Sequence, residues 1–303
     1  MTIGGNPRII IWFVSNDKSF IKTAMNILES QHNGVGVLGV TSTQKISVND
    51  LPFIPLNEVS MNSDWYDIIL VAGGKKLGMS EVVKFANALK LDTEKLLGDW
   101  IVCIPGFTLQ KYRQLQHSQL SIFAQNCFGG VISNTLGLPF RSPFINMFVA
   151  EDEYIRFLRS PRIYMEEKLV FRGVSYDENT KINYPIFIMG NIFLHMNHYP
   201  DFQEALQIWN ERKPRINWYN IFVMANTEKL EILEEFDKLP FGKKVCFVPF
   251  KSDLDSAWYI NPEIRKDLNQ LWQFVIGFSL GKPFYYDPFD MLLYGKKTQL
   301  IDM

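Results

Sequence analysis

Short, continuously apolar runs alternate along this chain with segments whose apolar positions recur every three or four residues. Arg8 to Val14 reads RIIIWFV, which suits a strand buried on both faces. Ser15-Asn16-Asp17 follows as a turn and helix cap, and Phe20, Ile21, Ala24, Ile27 and Leu28 then fall at helical spacing. Gly34 ends that helix, and Val35 to Val40 predicts the next strand. Strand, helix and strand in this order form a right-handed crossover onto a parallel sheet. Asp67 to Ala72 (DIILVA) predicts a third buried strand, closed by Gly73-Gly74. A helix near Met79 to Leu89 and a strand at Trp100 to Ile104 extend the rhythm. The expectation is a Rossmann-like α/β domain over 1–116 with an open, mostly parallel sheet.

The second half, 117–303, restarts the alternation and predicts a second α/β domain. Leu120 to Gln125 reads as a strand, and NCFGG leads into a short helix closed by Gly137. Phe144 to Ala150 predicts another strand, followed by an acid-capped helix through Leu158. Tyr184 to His198 is apolar on both alternating sets, which suits one long or two short buried strands. A helix after Asp201, strands at Ile221 to Ala225 and Val245 to Phe250, and helices at Glu228 to Lys238 and near Pro262 to Phe278 complete the half.

Composition narrows the functional classes. Lys+Arg is 31 against Asp+Glu 32, a net charge of -1, so the chain advertises no field for nucleic acid or anionic membrane. Aromatics make up 14%, a surplus that must fill a core, line a groove or lie at an interface. Cys103, Cys127 and Cys246 are widely spaced and odd in number, so a reducing cytoplasm is expected rather than a disulfide framework. The residues MTIGGNPRIIIWFV lack the pattern of a signal peptide, and no apolar run approaches the ~18 residues of an integral membrane segment. Oligomeric state is not legible in these features.

Two stretches concentrate candidate chemistry. In NHYPDFQEALQIWNERKPRINW, Asn197 to Trp218, Phe202, Ala205, Leu206 and Trp209 make a buried stripe, and Asp201 with Glu204 makes a helix cap. His198 before the cap, and Arg212 and Arg215 beyond the helix body, are then left over. Two guanidinium groups at one helix end can grip a phosphate or carboxylate, or merely cap carbonyls and face water. In QNCFGGVISNTLG, a strand entering a Gly129-Gly130 turn and a helix aims backbone N–H groups at one spot, as an anion requires. Cys127 at that helix start is expected to have a lowered pKa, and a Cys127–His198 nucleophile pair is conceivable; a buried cysteine at a tight junction explains the same residues. His195 and His198 are at odd spacing, so an extended strand would put them on opposite faces and no metal site is expected. Asp253-Leu254-Asp255 follows a strand, as a metal-binding DxD does, and so does Glu151-Asp152-Glu153. Both patterns are short and common, helix-start charge explains Glu151 and Asp152, and no Mg²⁺ or Mn²⁺ site is expected at either. The turn after the first strand has Ser15-Asn16-Asp17 where a dinucleotide fold carries GxGxxG, so no NAD or FAD site is expected there and no other cofactor is named. Gly73-Gly74-Lys75-Lys76 reads as a turn with solvated lysines that could also meet a phosphate.

The motifs NCFGG, LGLPFRSPFINMF, DEYIRFL, YPIF and HYPDFQEALQIWNERKPRINWYNIFV, in that order over Ser121 to Phe250, resemble a bacterial family, domain of unknown function 1919. The resemblance carries no established activity; it implies an association with exopolysaccharide and capsule biosynthesis. It puts Asn126, Cys127, Gly129, Gly130, His198, Tyr199, Trp209, Arg212, Arg215 and Asn217 at motif positions. On that footing a sugar-transfer enzyme would bind a nucleotide-sugar or phosphosugar where the glycine turn and the His198/Arg212/Arg215 cluster converge, with Trp209 or Trp218 facing a ring. His198 and Cys127 would be its catalytic candidates. The rival expectation is a non-catalytic binding or assembly protein of the same pathway.

Overall fold

The computed structural model describes residues 8–14, 36–48, 50–72, 79–102, 104–178, 181–261, 271–280, 284 and 286–298. The turn at Ser15-Asn16-Asp17, the Phe20 helix, the Gly73–Lys76 segment, Cys103 and most of the helix expected after Pro262 lie outside them. The chain is an α/β protein that divides into two compact units, Met1–Phe107 and Thr108–Met303.

In the first unit, β1 (Arg8–Phe13), β2 (Gly36–Thr41), β3 (Ile68–Ala72) and β4 (Leu96–Gly98) form a parallel sheet of order β2-β1-β3-β4. The two continuous apolar runs, β1 and β3, lie side by side at its centre, where strands are covered on both faces. Helices α1 (Leu56–Met61), α2 (Met79–Ala88) and α3 (Asp99–Val102) complete the described unit. The strand expected at Trp100 to Ile104 is displaced: the strand is β4, and Trp100 begins to turn into α3. The Trp100 ring lies 2.6 Å from where a Cβ on Gly98 would stand, so a larger residue there would displace that ring.

In the second unit, helix α4 (Leu109–His117) precedes β5 (Ser121–Ala124), and α5 (Phe128–Thr135) follows it. Then come α6 (Glu151–Arg159), α7 (Pro161–Glu166), the strands β6 (Leu169–Asp177), β7 (Ile182–Met189) and β8 (Ile192–His195), and α8 (Phe202–Arg212). β9 (Ile221–Asn226), α9 (Leu230–Asp237), β10 (Lys244–Val248), β11 (Ala257–Tyr259), α10 (Leu271–Val275) and α11 (Pro288–Tyr294) end the described chain. β5, β9, β10 and β11 form a parallel sheet of order β11-β10-β9-β5, and β6-β7-β8 form a separate antiparallel sheet inserted between β5 and β9.

One strand expectation needs correction here. Phe144 to Ala150 is not a strand: Asn146 takes a left-handed φ of 59°, and only Phe148 bridges to His195. An apolar run cannot stay extended through such a residue. For Tyr184 to His198 the two-strand alternative holds: β7 and β8 are reversed at Gly190, whose φ is 62°. β6 and β11 carry no clear apolar periodicity and were not anticipated.

The core of this unit is built on one face of the parallel sheet. Phe123 of β5 packs on Phe144 and Phe157 at 5.6 and 5.5 Å between ring centres, and Phe144 meets Trp209 at 5.6 Å. Each ring this deeply buried contributes roughly 1.5–3 kcal/mol. On the opposite face Phe247, Trp258 and Tyr286 form a second aromatic group. Lys111 of α4 pairs with Asp287 at 2.9 Å and Asp290 at 2.8 Å, tying that helix to α11.

Candidate functional site

The carboxyl end of β5 is organised by amides rather than by charges. Asn126 donates to Asn226 Oδ1 at 2.7 Å and accepts from the Phe128 amide at 3.0 Å, so one side chain ties β5 to β9 and caps α5. Gln125 accepts from the Asn226 amide at 3.0 Å. Asn126 is therefore occupied as a strap and a cap. Gly129 and Gly130 are buried where α5 crosses the 144–146 segment; a Cβ on Gly130 would lie 2.9 Å from the Ile145 side chain. The glycines allow close packing, and no free amide cradle is needed to explain them.

Cys127 precedes α5, but its thiol is not activated. Burial pushes it up to about 11, the reverse of the expected lowering by a helix start. The desolvation of a sulfur under core packing outweighs the dipole of a helix of this length. The Cys127–His198 pair is also not formed: His198 lies on the turn after β8 with part of its side chain in solvent, and the charge that acts on it is Asp177. Partial burial of its ring pulls its pKa below 6.5, and Asp177 works in the other direction. His195 ends β8 stacked on Phe148 at 4.4 Å.

Tyr199 and Arg212 do reach the glycine region. The Tyr199 hydroxyl, in a residue 6% exposed, donates to the Ile145 carbonyl at 3.0 Å and accepts from Arg212 Nη1 at 2.8 Å. Arg212 also lies over the Phe140 ring at 4.9 Å. Gly130 and Tyr199 thus grip the same Ile145 segment from two sides, and Cys127 is near enough to Tyr199 to affect its ionisation. Of the residues expected to converge on the glycine turn, Arg212 reaches it, through Tyr199 and Ile145, while His198 and Arg215 take no part in that contact.

The remaining motif residues separate. Trp209 is 3% exposed and packs edge-on against Phe144, so it offers no face to a ring ligand. Asn217 takes the Ser121 hydroxyl as acceptor at 2.8 Å and donates to the Gln119 carbonyl at 3.1 Å, which holds the amino end of β5. That is the far end of the strand from Asn126, roughly 16 Å away at ~3.3 Å per residue. Arg215 is exposed at the end of a 3₁₀ turn, Lys213–Arg215. Of the acidic runs, Glu151 pairs with Lys229 at 3.0 Å, and Asp253 and Asp255 are exposed.

An open hollow does lie beside this turn. Its volume is about 330 Å³, and it is lined by Arg162, Met165 and Glu166 of α7 with Lys213, Pro214 and Trp218. The Arg162 guanidinium lies over the Trp218 ring at 4.6 Å, and Trp218 rests edge-on against Phe123 of β5. Sequence reasoning picked out Trp218 and the basic end of α8 but missed α7. Its Ser160-Pro161 start was a helix signal, and Arg162 then follows at its exposed face.

The profile of the domain of unknown function DUF1919 matches residues 102–294, well beyond the motif run from Ser121 to Phe250. The chain belongs to the DUF1919 family. A Haemophilus influenzae protein described as uncharacterized is 32% identical over 190 residues, covering 60% of this chain and 86% of that one. The DUF1919 region contains the second parallel sheet, the antiparallel insertion and the hollow. None of the described helices is long and apolar enough to cross a membrane.

Proposed function

We propose that this DUF1919 protein binds a phosphosugar or nucleotide-sugar in the Arg162–Trp218 hollow and acts in sugar transfer during bacterial exopolysaccharide or capsule synthesis. The observation that carries the reading is the guanidinium of Arg162 lying 4.6 Å over the Trp218 ring beside Lys213. Stacking occupies the flat face of a guanidinium and leaves its N–H edge for two phosphate oxygens. Lys213 adds a second cation, and among the described residues neither it nor Arg162 forms an ion pair. Met165, Pro214 and Trp218 supply the apolar wall that the carbon face of a sugar ring prefers. Glu166 is the lining carboxylate and serves as the general base. The volume, about 330 Å³, is at the low end for small-molecule sites, so a phosphosugar fits within it while a nucleotide-sugar extends beyond its rim.

Thermal-shift titration with hexose 1-phosphates and nucleotide-sugars, with and without Mg²⁺, tests this reading. A ligand binding only the folded state raises the melting temperature. Arg162→Ala and Lys213→Ala should each weaken binding about tenfold or more, as loss of a charge-assisted hydrogen bond does. Their unliganded stability should stay within about 0.5 kcal/mol of the parent. No shift with any of these compounds, or a shift indifferent to both substitutions, rejects the site.

A further inference from the structure

The turn Asn217–Asn220 carries the aromatic wall of the hollow and is pinned at both ends. The Asn220 amide donates to the Asn217 carbonyl at 3.2 Å, which closes the turn around Trp218 and Tyr219 as its central residues. The Asn217 side chain accepts from the Tyr219 amide at 3.2 Å and donates to the Gln119 carbonyl at 3.1 Å. The Asn220 side chain donates to the Ser118 carbonyl at 2.6 Å and accepts from the Lys243 ammonium. Both central rings therefore stand on a fixed backbone, and they part company there. Trp218 turns inward, edge-on to Phe123 at 6.0 Å and under Arg162. Tyr219 stays 98% exposed, whereas the next most exposed described aromatic, Trp65, is 52% exposed. Among the described residues no ring or hydrogen-bonding group meets its side chain.

We propose that Tyr219 is the stacking platform for the base of a nucleotide-sugar, an inference that rests on sugar-phosphate binding in the Arg162–Trp218 hollow. Neighbouring Cα atoms are about 3.8 Å apart, so Tyr219, next to the lining residue Trp218, is rooted at the rim. A hexose phosphate is accommodated inside, and the second phosphate and ribose of a nucleotide-sugar carry the base out past that rim. A tyrosine on a fixed backbone has only two side-chain torsions to lose, so it offers a large flat contact at low entropic cost. The groups beside the ring select a base over a second sugar. Sugar hydroxyls need directed hydrogen bonds, and Asn217 and Asn220 already spend their side-chain amides on the backbone and Lys243. A base is held by its flat face alone, with its polar edge left in water. Such a stack tolerates any base, so Tyr219 separates nucleotide-sugars from simple sugar phosphates rather than one nucleotide from another.

Isothermal titration calorimetry of the full chain with glucose 1-phosphate and with UDP-glucose is the test. Tyr219→Ala should weaken UDP-glucose about tenfold, the loss of one base–aromatic stack, and leave glucose 1-phosphate within about twofold. Tyr219→Phe should keep the parent affinity for both, because the ring and not the hydroxyl makes the contact. The side chain is almost wholly exposed, so neither substitution should move the melting temperature of the unliganded protein. UDP-glucose binding indifferent to Tyr219→Ala, an equal loss for glucose 1-phosphate, or a loss in Tyr219→Phe overturns the stack. In each of those cases, glucose 1-phosphate binding that depends on Arg162 leaves the reading of the hollow standing. No binding of either ligand overturns both.

Discussion

Replacing Gly130 by alanine tests whether the NCFGG glycines serve packing or a ligand. An added Cβ would stand 2.9 Å from Ile145 Cγ2 and 3.2 Å from Asn146 Oδ1. Carbon atoms pack at ~3.5–4.0 Å, and Ile145 is only 1% exposed, so neither partner can swing clear. Overpacking of this degree costs about 1–3 kcal/mol. Alanine returns up to about 1 kcal/mol in helix propensity, less in the first turn where Gly130 lies. The net loss is about 1–2 kcal/mol. At Gly129 the nearest atoms are 3.3–3.5 Å away, and the propensity gain roughly offsets the squeeze against the Phe144 carbonyl. In a unit of this size each kcal/mol moves the melting temperature about 2–4 °C. Gly130→Ala should therefore melt roughly 3–6 °C below Gly129→Ala, read by circular dichroism and checked by urea unfolding. Equal melting temperatures, or the reverse order, refute the packing argument. Unchanged stability with loss of sugar-phosphate binding in Gly130→Ala would return the ligand site to the glycine turn.

Cys127 should alkylate about a hundredfold more slowly than an ordinary thiol at pH 8, with the rate still climbing above pH 9 because thiolate forms only near 11; peptide mapping after timed iodoacetamide treatment reads this, and a plateau below pH 8 refutes it. Trp209→Ala should cost about 3–5 kcal/mol as a core truncation, whereas Arg215→Ala should stay within about 0.5 kcal/mol, so parallel denaturation curves separate scaffold from surface. Lys111→Met leaves Asp287, whose side chain is 4% exposed, without its cation and should cost about 2 kcal/mol at pH 7. Burial works to raise Asp290, but hydrogen bonding and charge from Lys111, with Thr298, hold it below 3.8. Its contribution is therefore present above about pH 4 and fades as the pH falls through the folded value; Lys111→Met should flatten that acid limb of the stability curve.

Individual elements were legible for local reasons. RIIIWFV and DIILVA announced the two central strands because a strand covered on both faces has no polar alternate to show. The Asp201 cap is equally local: its carboxylate accepts from the Gln203 amide at 2.7 Å, two residues away. Phe144 to Ala150 misled because it is as apolar as a strand; its rings fill the core from an irregular segment. β6 escaped notice because Val170, Val174 and Tyr176 are its exposed side chains while Gly173, Ser175 and Asp177 are half-buried, the reverse of the apolar-in alternation that marks a half-buried strand. Among the candidate site residues, Arg212 is legible from the basic end of its helix and Tyr199 through the motif resemblance, but their hydrogen-bonded contact with the Ile145 carbonyl is not.

Sequence by itself determined the α/β alternation, the main caps and the family, since periodicity and capping depend on neighbours within a few residues. Tertiary structure decided that the glycine turn and Arg212 close on one another as packing, that Asn217 belongs to the opposite end of β5, and that Arg162 reaches Trp218. Those outcomes depend on which distant side chains share a volume. A residue type specifies its charge and shape, whereas the space left beside it is set by everything packed around it.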